Sequence, residues 1–139
     1  MKNKGFTLFE LLVVISIIGI LLALGMVSFS TAQKKARDAR RKEDMEAIQK
    51  ALEQYYALAG AYPSTCCSSG SQIEFEGTVI MQSVPSDPKD VAPYQYSCSS
   101  PSTDTYCYCA RLEATTGNSG IDCDWSATTK DYYCVSNRQ

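Results

Sequence analysis

The feature that most constrains this chain is an uncharged run of 23 residues, from Leu11 to Gln33, made mostly of Leu, Ile, Val and Ala. As a helix rising about 1.5 Å per residue, the run reaches roughly 35 Å, enough to cross a hydrocarbon layer of roughly 30 Å. It therefore predicts a membrane-spanning helix. Glu10 directly precedes the run, at a position where an ionised carboxylate is costly and usually functional.

A short basic leader, Met1 to Gly5, precedes this apolar block. Gly5 has no side chain, which lets a protease approach the backbone closely. Cleavage after Gly5 would leave Phe6 as a new amino terminus, one helical turn from Glu10. The cationic amine of one chain could then pair with Glu10 of a neighbouring chain, and both charges would be neutralised in apolar surroundings.

The segment Gly-Phe-Thr-Leu-Phe-Glu-Leu-Leu-Val-Val, which starts at Gly5, resembles the start of type IV pilins and of the pseudopilins of type II secretion. The resemblance implies that a prepilin peptidase of the inner membrane cuts between Gly5 and Phe6 and that Phe6 is N-methylated. It also implies that Glu10 registers each subunit in a helical filament. The implied protein is a non-enzymatic subunit. Its implied partners are identical or homologous pilin subunits, the prepilin peptidase and methylase, an inner-membrane assembly platform and membrane lipid.

Other interpretations of the apolar block stay open. The run could be a secretory signal with Ser30-Thr31-Ala32 as its cleavage site, although it exceeds the usual signal core of about 7 to 15 residues. Glu10 could also be an interfacial carboxylate whose side chain reaches back to water. A chain that stays anchored without polymerising would be a membrane-tethered extracellular binding module.

Helical periodicity continues beyond the apolar run. Apolar residues recur three or four positions apart while charged residues occupy other faces, the pattern of an amphipathic helix packed on a domain. Gly60 offers a C-cap, and Pro63 prevents continuation. The sequence therefore predicts one helix from Phe6 to Ala59, in which residues 6–33 form the transmembrane or filament-core part and residues 34–60 the amphipathic continuation. The apolar stripe is interpreted as core packing and comprises Met45, Ile48, Leu52, Tyr55 and Ala59.

Residues 61–139 predict a small antiparallel β-sheet head. Short apolar or Tyr-rich runs alternate there with turn-rich segments such as Pro85-Ser86-Asp87-Pro88. The fold class is therefore α+β, with the sheet packed on the second half of the long helix, as the pilin resemblance also implies. We interpret the abundant tyrosines as core packing. The candidate strands are Gln72 to Phe75, Thr78 to Met81, Tyr94 to Cys98, Tyr106 to Leu112 and Tyr132 to Val135.

The charges that flank the apolar run conflict with the orientation of a pilin. Only Lys2 and Lys4 precede the run, whereas six basic residues follow it closely, and the positive-inside rule would keep the denser side in the cytoplasm. The cysteines indicate the opposite, because all seven lie between Cys66 and Cys134, a density typical of disulfide-stapled domains outside the cytosol. We therefore expect a single pass through the cytoplasmic membrane with the N-terminus inside, then an extracellular or periplasmic filament. The six basic residues, expected at lipid headgroups or paired with acids of adjacent subunits, are Lys34, Lys35, Arg37, Arg40, Arg41 and Lys42.

Seven cysteines allow three bridges and leave one free thiol, in many possible arrangements. Resemblance to pilins that close a C-terminal loop implies a bridge between Cys123 and Cys134, with a stabilisation of roughly 3 kcal/mol. Cys66 and Cys67 are adjacent and cannot readily bond to each other without strain, so we expect them to have different partners. The unpaired thiol could link subunits or be buried.

Composition argues against several other functions. The chain has no His and no C-x-x-C pair, so zinc is not expected, and a Ser or Cys nucleophile lacks its usual base. A net charge of -2 without a basic excess offers no footprint for nucleic acid. No cofactor or metal is predicted, although calcium is possible at loop acids. We prefer to interpret these loop acids as solvated side chains rather than as calcium ligands. The four acids are Asp104, Asp122, Asp124 and Asp131.

Overall fold

The computed structural model describes residues 5–99 and 101–137, and its dominant element is one helix, α1, Leu8–Ala59. Four of the five residues of the predicted leader, 1–4, lie outside the described residues, as do the last two residues of the head. The helix ends where predicted, because Gly60 takes a left-handed conformation with φ 71° and donates its N–H to the Tyr56 carbonyl at 2.8 Å. The long helix inferred from the unbroken periodicity is therefore confirmed.

Five short strands follow the helix, one at each predicted position: β1 Ile73–Phe75, β2 Thr78–Met81, β3 Ser97–Ser99, β4 Cys107–Arg111 and β5 Tyr132–Ser136. They form two antiparallel sheets, β1-β2 and β3-β4-β5, rather than the single sheet expected. The β1-β2 hairpin turns through Glu76 and Gly77, whose positive φ angles of 47° and 81° suit a tight two-residue turn. The α+β class is confirmed, with both sheets small.

The chain divides into two compact units, residues 1–34 and 35–139. The core of the second unit, which we call the head, is built on one face of α1. Met45, Ile48 and Leu52 are at most 1% exposed and pack with residues of both sheets such as Ile73 and Val135. The stripe predicted as core packing therefore contributes to the core, with Tyr55 partly buried against it.

Tyrosines supply much of the remaining core. Tyr62, Tyr106 and Tyr108 are each at most 4% exposed. The hydroxyl groups of Tyr62 and Tyr106 both donate to Oε1 of Glu53, at 3.1 and 2.9 Å, which satisfies their polar ends. Burial, followed by the Glu53 carboxylate, raises the pKa of Tyr62 to about 12. The packing interpretation of these tyrosines is confirmed.

Three disulfides staple the head: Cys66–Cys98, Cys107–Cys123 and Cys109–Cys134. The predicted bridge between Cys123 and Cys134 is wrong. Cys109 lies directly opposite Cys134 in the β4-β5 ladder, so the strand register, which cannot be seen from the cysteine spacing, decides the partner. Cys67 is the free cysteine, and its neighbour Cys66 pairs elsewhere as expected.

Candidate functional site

At the N-terminal end of α1 the structure places Gly5 and Phe6 in irregular backbone just before the helix begins. Thr7 and Glu10 then form a reciprocal capping box. The Thr7 backbone N–H and hydroxyl donate to Glu10 Oε2 at 2.9 and 2.8 Å, and the Glu10 N–H donates to the Thr7 hydroxyl oxygen at 3.2 Å. Glu10 therefore contributes to starting the helix.

Sequence reasoning missed this capping role, although its signal, Thr-x-x-Glu before an apolar run, is present in the sequence. Both bonds to the carboxylate end on Oε2, so Oε1 lies outside the capping box. The side chain of Phe6 is 82% exposed, and Glu10 is exposed as well. The three predicted residues Gly5, Phe6 and Glu10 thus lie within one turn of the helix start.

The first unit presents a continuous apolar surface. Between Phe6 and Phe29 the described large apolar side chains are 39% to 83% exposed. In the described part of the chain, α1 is the one helix that is long and apolar enough to cross a membrane. An apolar surface of this extent is typical of contact with lipid or with other helices.

In the head, α1 carries a second charged group, Arg41, whose side chain is fully buried. Its guanidinium binds Asp87 through two bonds, with Nη2 to Oδ1 at 3.0 Å and Nε to Oδ2. Nη1 reaches Asp38 Oδ1 at 2.9 Å and Glu113 Oε1 at 2.8 Å. We call Arg41 and these three carboxylates the Arg41 cluster. It connects α1 to the loop before β3 and to the segment after β4.

Two carboxylates of the Arg41 cluster, those of Asp38 and Glu113, have further partners that hold them ionised. Asp38 accepts the backbone N–H groups of Glu113, Ala114 and Thr115 at 2.8 to 2.9 Å. Although burial opposes ionisation, these bonds and the one from Arg41 keep the pKa of Asp38 below its usual value. The bidentate bond from Arg37 is the main reason why the pKa of Glu113 is strongly lowered. Lys89 adds a third cation, 2.7 Å from Glu113.

The three arginines of the basic segment after the apolar run form ion pairs within the chain. Arg37 and Arg41 pair with acids of the head, and Arg40 binds Asp44 at 3.1 Å. The expectation that these arginines meet lipid headgroups or adjacent subunits is corrected, because their acidic partners come from the same chain. Two of those partners, Asp87 and Glu113, are far away in sequence, so the charge count along the helix could not identify them.

The head contains one group of sulfur atoms close enough to hold a metal, Cys107, Cys109 and Cys123, within the residues that the structure describes. All three sulfurs are already engaged in disulfides, so the group has no free thiolate to offer. Of the possible calcium ligands, Asp124 accepts the backbone N–H and hydroxyl of Ser126 at 3.0 and 2.6 Å. These bonds account for the lowered pKa of Asp124 without a cation.

Comparison with known protein families gives a match in the N-terminal segment. A family profile described as the prokaryotic N-terminal methylation motif matches residues 1–26. The match includes Gly5, Phe6 and Glu10, the three residues that the sequence singled out. The chain therefore carries this motif.

Curated relatives extend the match beyond the motif. The type II secretion system core protein G of Pseudomonas aeruginosa is 41% identical over 64 residues, 46% of this chain and 45% of the relative. The type IV major pilin protein PilA of Myxococcus xanthus is 33% identical over 61 residues, 44% of this chain and 28% of the relative. A fimbrial protein of Neisseria meningitidis is 35% identical over 80 residues, 56% of this chain and 47% of the relative.

Over these segments the chain is similar to type IV pilins and to a core protein of type II secretion. The matches span less than half the length of these relatives. No solved structure matches the chain significantly.

Proposed function

We propose that the chain is a structural subunit of a type IV pilus or of a type II secretion-like pseudopilus, assembled from the cytoplasmic membrane. The observation that carries this proposal is the joint placement of Gly5, Phe6 and Glu10 at the start of an apolar helix whose surface is exposed along its length. Apolar helices of neighbouring subunits would bundle in the filament core, and the disulfide-stapled heads would form its wall.

Glu10 has a specific role in this assembly. Cleavage between Gly5 and Phe6 creates a cationic amine, which the proposed methylation of Phe6 leaves cationic. Because the capping box occupies Oε2 alone, Oε1 of Glu10 can accept that amine from a neighbouring subunit. In apolar surroundings such a pair relieves the cost of an isolated carboxylate, so assembly is favoured over the dispersed subunit.

The proposed partners are identical or homologous pilin subunits, a prepilin peptidase and methylase, an inner-membrane assembly platform and membrane lipid. In the proposed orientation the N-terminus lies inside and the head outside. The disulfides of the head support this orientation, because such bonds persist in oxidising compartments.

The decisive experiment compares filament yields of full-length Glu10→Ala and wild type, expressed with the peptidase and assembly machinery. We expect the variant to insert and be cleaved normally, with sheared filaments reduced at least tenfold. Glu43→Ala is the matched control, since Glu43 is an exposed acid on the same helix. Normal yield from Glu10→Ala would contradict the pairing.

Mass analysis of the purified wild-type chain tests processing independently. We expect a mature chain that begins at Phe6, with one added methyl group and three disulfides. A wild-type chain that is processed but stays monomeric in the presence of the machinery would instead be a membrane-tethered binding module. A chain that still begins at Met1, or that has lost the apolar segment, would contradict the filament proposal.

A further inference from the structure

The end of the head near the C-terminus of α1 carries an exposed face that is both apolar and acidic. Glu74 and Val79 lie directly opposite each other in the β1-β2 hairpin, so their side chains share one face of this small sheet. Both are exposed, and Glu76 is exposed at the turn. Leu58 of α1, 56% exposed, lines a shallow groove together with Val79. We call Leu58, Glu74, Glu76 and Val79 the distal patch.

The hairpin is fixed to the last turns of α1 by its other face. The rings of Tyr55 and Phe75 pack edge to face with centroids 5.4 Å apart. The distal patch therefore has a defined position along the helix, level with Tyr55. Among the described residues, neither Glu74 nor Glu76 forms an ion pair.

Three cations of the basic segment of α1 make no ion pair within the described residues. One of them, Lys42, lies over the ring of Tyr133, with Nζ 5.5 Å from the ring centroid. Arg37, Arg40 and Arg41 are neutralised by acids of the same chain, as described above. Lys34 and Lys35 are exposed and make no ion pair within the described part of the chain. Glu74 and Glu76 of the distal patch, like these two lysines, are thus exposed charges that have no ion pair among the described residues.

We propose that the distal patch docks on Lys34 and Lys35 of a second copy of this chain in the filament. Twenty residues of helix separate Lys35 from Tyr55, which is about 30 Å at 1.5 Å per residue. Two parallel copies displaced by about this distance along their helices bring the acids of one against the lysines of the other, and Leu58 and Val79 add apolar contact area.

The contact joins two different surfaces, so it is heterologous and leaves one free acidic and one free basic end after each addition. Interfaces of this kind propagate into open helical assemblies when the rotation does not close a ring. The inference rests on the proposed filament function and specifies one of its lateral contacts. The positive-inside rule predicts that lysines beside a membrane helix stay in the cytoplasm, which conflicts with an external head. The proposed contact assigns Lys34 and Lys35 a role outside the membrane.

The test is a charge swap in full-length chains expressed with the assembly machinery. Glu74→Lys with Glu76→Lys, and separately Lys34→Glu with Lys35→Glu, should each lower sheared-filament yield by about fivefold or more, because like charges then oppose at every repeat. Combining all four substitutions in one chain restores complementarity and should recover most of the wild-type yield. Glu43→Lys, an exposed reversal on the same helix, should leave yield unchanged.

The neutral variant Glu74→Gln with Glu76→Gln distinguishes charge repulsion from a folding defect in the charge-reversed hairpin. It should give a filament yield between those of the wild type and the reversal. Normal yield from both reversals would overturn the docking. Loss with the lysine reversal but no recovery in the fourfold variant would also overturn it, and would place the lysines at anionic lipid instead. In either case, normal filaments from the wild type would leave the proposed function standing, whereas a wild type that forms none would refute both proposals.

Discussion

The two units of this chain differ in how their charged side chains are paired. Arg41 is fully buried, and the head provides it with three carboxylates from three parts of the same chain. Glu10 lies in an apolar helix and receives bonds from Thr7, one turn away, but the capping box provides no cation. The buried charge of Arg41 is therefore paired within the folded head, whereas the described bonds to Glu10 come from Thr7 alone.

The residues that stabilise the head are therefore different from the residue that we propose acts in assembly. Removing a member of the Arg41 cluster is expected to damage the head before any filament forms, because unpaired buried charges are costly. Removing Glu10 is expected to leave the head intact, because the described bonds to its carboxylate come from Thr7 in the same unit.

The strongest test is Arg41→Ala, which leaves Asp38, Asp87 and Glu113 close together without their shared cation. Breaking a buried ion pair on one side costs about 3–5 kcal/mol, and we expect a loss of that size in the free energy of unfolding. Urea titration of the full chain in detergent, followed by tyrosine and tryptophan fluorescence, measures it. Arg40→Ala is the control, with an expected loss of at most about 1 kcal/mol, because Arg40 is 64% exposed.

Next in size is the loss of the Cys109–Cys134 bridge, which joins residues 25 apart in sequence. The double substitution Cys109→Ala with Cys134→Ala should lower the free energy of unfolding by about 3 kcal/mol, mainly because the unfolded chain gains freedom. Peptide mapping of the same variant should still find Cys107 bonded to Cys123. A wild-type map with Cys123 joined to Cys134 would contradict the structure and restore the pairing inferred from the sequence.

Local patterns predicted most of the architecture. The periodicity of α1 and the Gly60 stop depend on neighbouring residues, and so do the turn residues that separate the five strands. Each could be seen in a short window of sequence. The Thr7–Glu10 capping box was equally local and could have been predicted from its four-residue pattern.

The disulfides and the Arg41 cluster could not be predicted in this way, since both depend on residues that folding brings together. The partner of Cys134 is set by the β4-β5 register, one of several pairings that the spacing permits. Asp87 and Glu113 become partners of Arg41 only when two loops close over α1. Arg41 lies four residues before Met45, in phase with the apolar stripe, so periodicity distinguishes it from the exposed Arg40, but this spacing does not identify the acids that pair with it.

The lowered pKa values of Asp38 and Glu113 predict a loss of head stability at low pH. The pKa of Glu113 lies well below its ordinary 4.5 in the folded chain, so folding favours its ionised form. The contribution of Glu113 to the free energy of unfolding is fully present above about pH 4.5. It decreases by roughly 2 kcal/mol as the pH falls toward the pKa of the folded state. Glu113→Gln should be less stable at pH 7 and should lose less stability on acidification. Equal acid sensitivity in the variant and the wild type would assign the effect to other carboxylates.

The smallest effect concerns the capping box at the start of the apolar helix. Thr7→Ala removes the hydroxyl that both donates to and accepts from Glu10, but it keeps the backbone N–H bond to the carboxylate. Losing such a cap costs about 1 kcal/mol, so amide exchange near residues 8–10 should accelerate about fivefold in detergent. Thr7→Ser keeps the hydroxyl and should exchange like wild type. The urea midpoint of the head should not change in either variant, because the charge pairing that stabilises it is complete without Glu10. A shift in that midpoint with Thr7→Ala would contradict the expectation that the stability of the head is independent of the Thr7–Glu10 capping box.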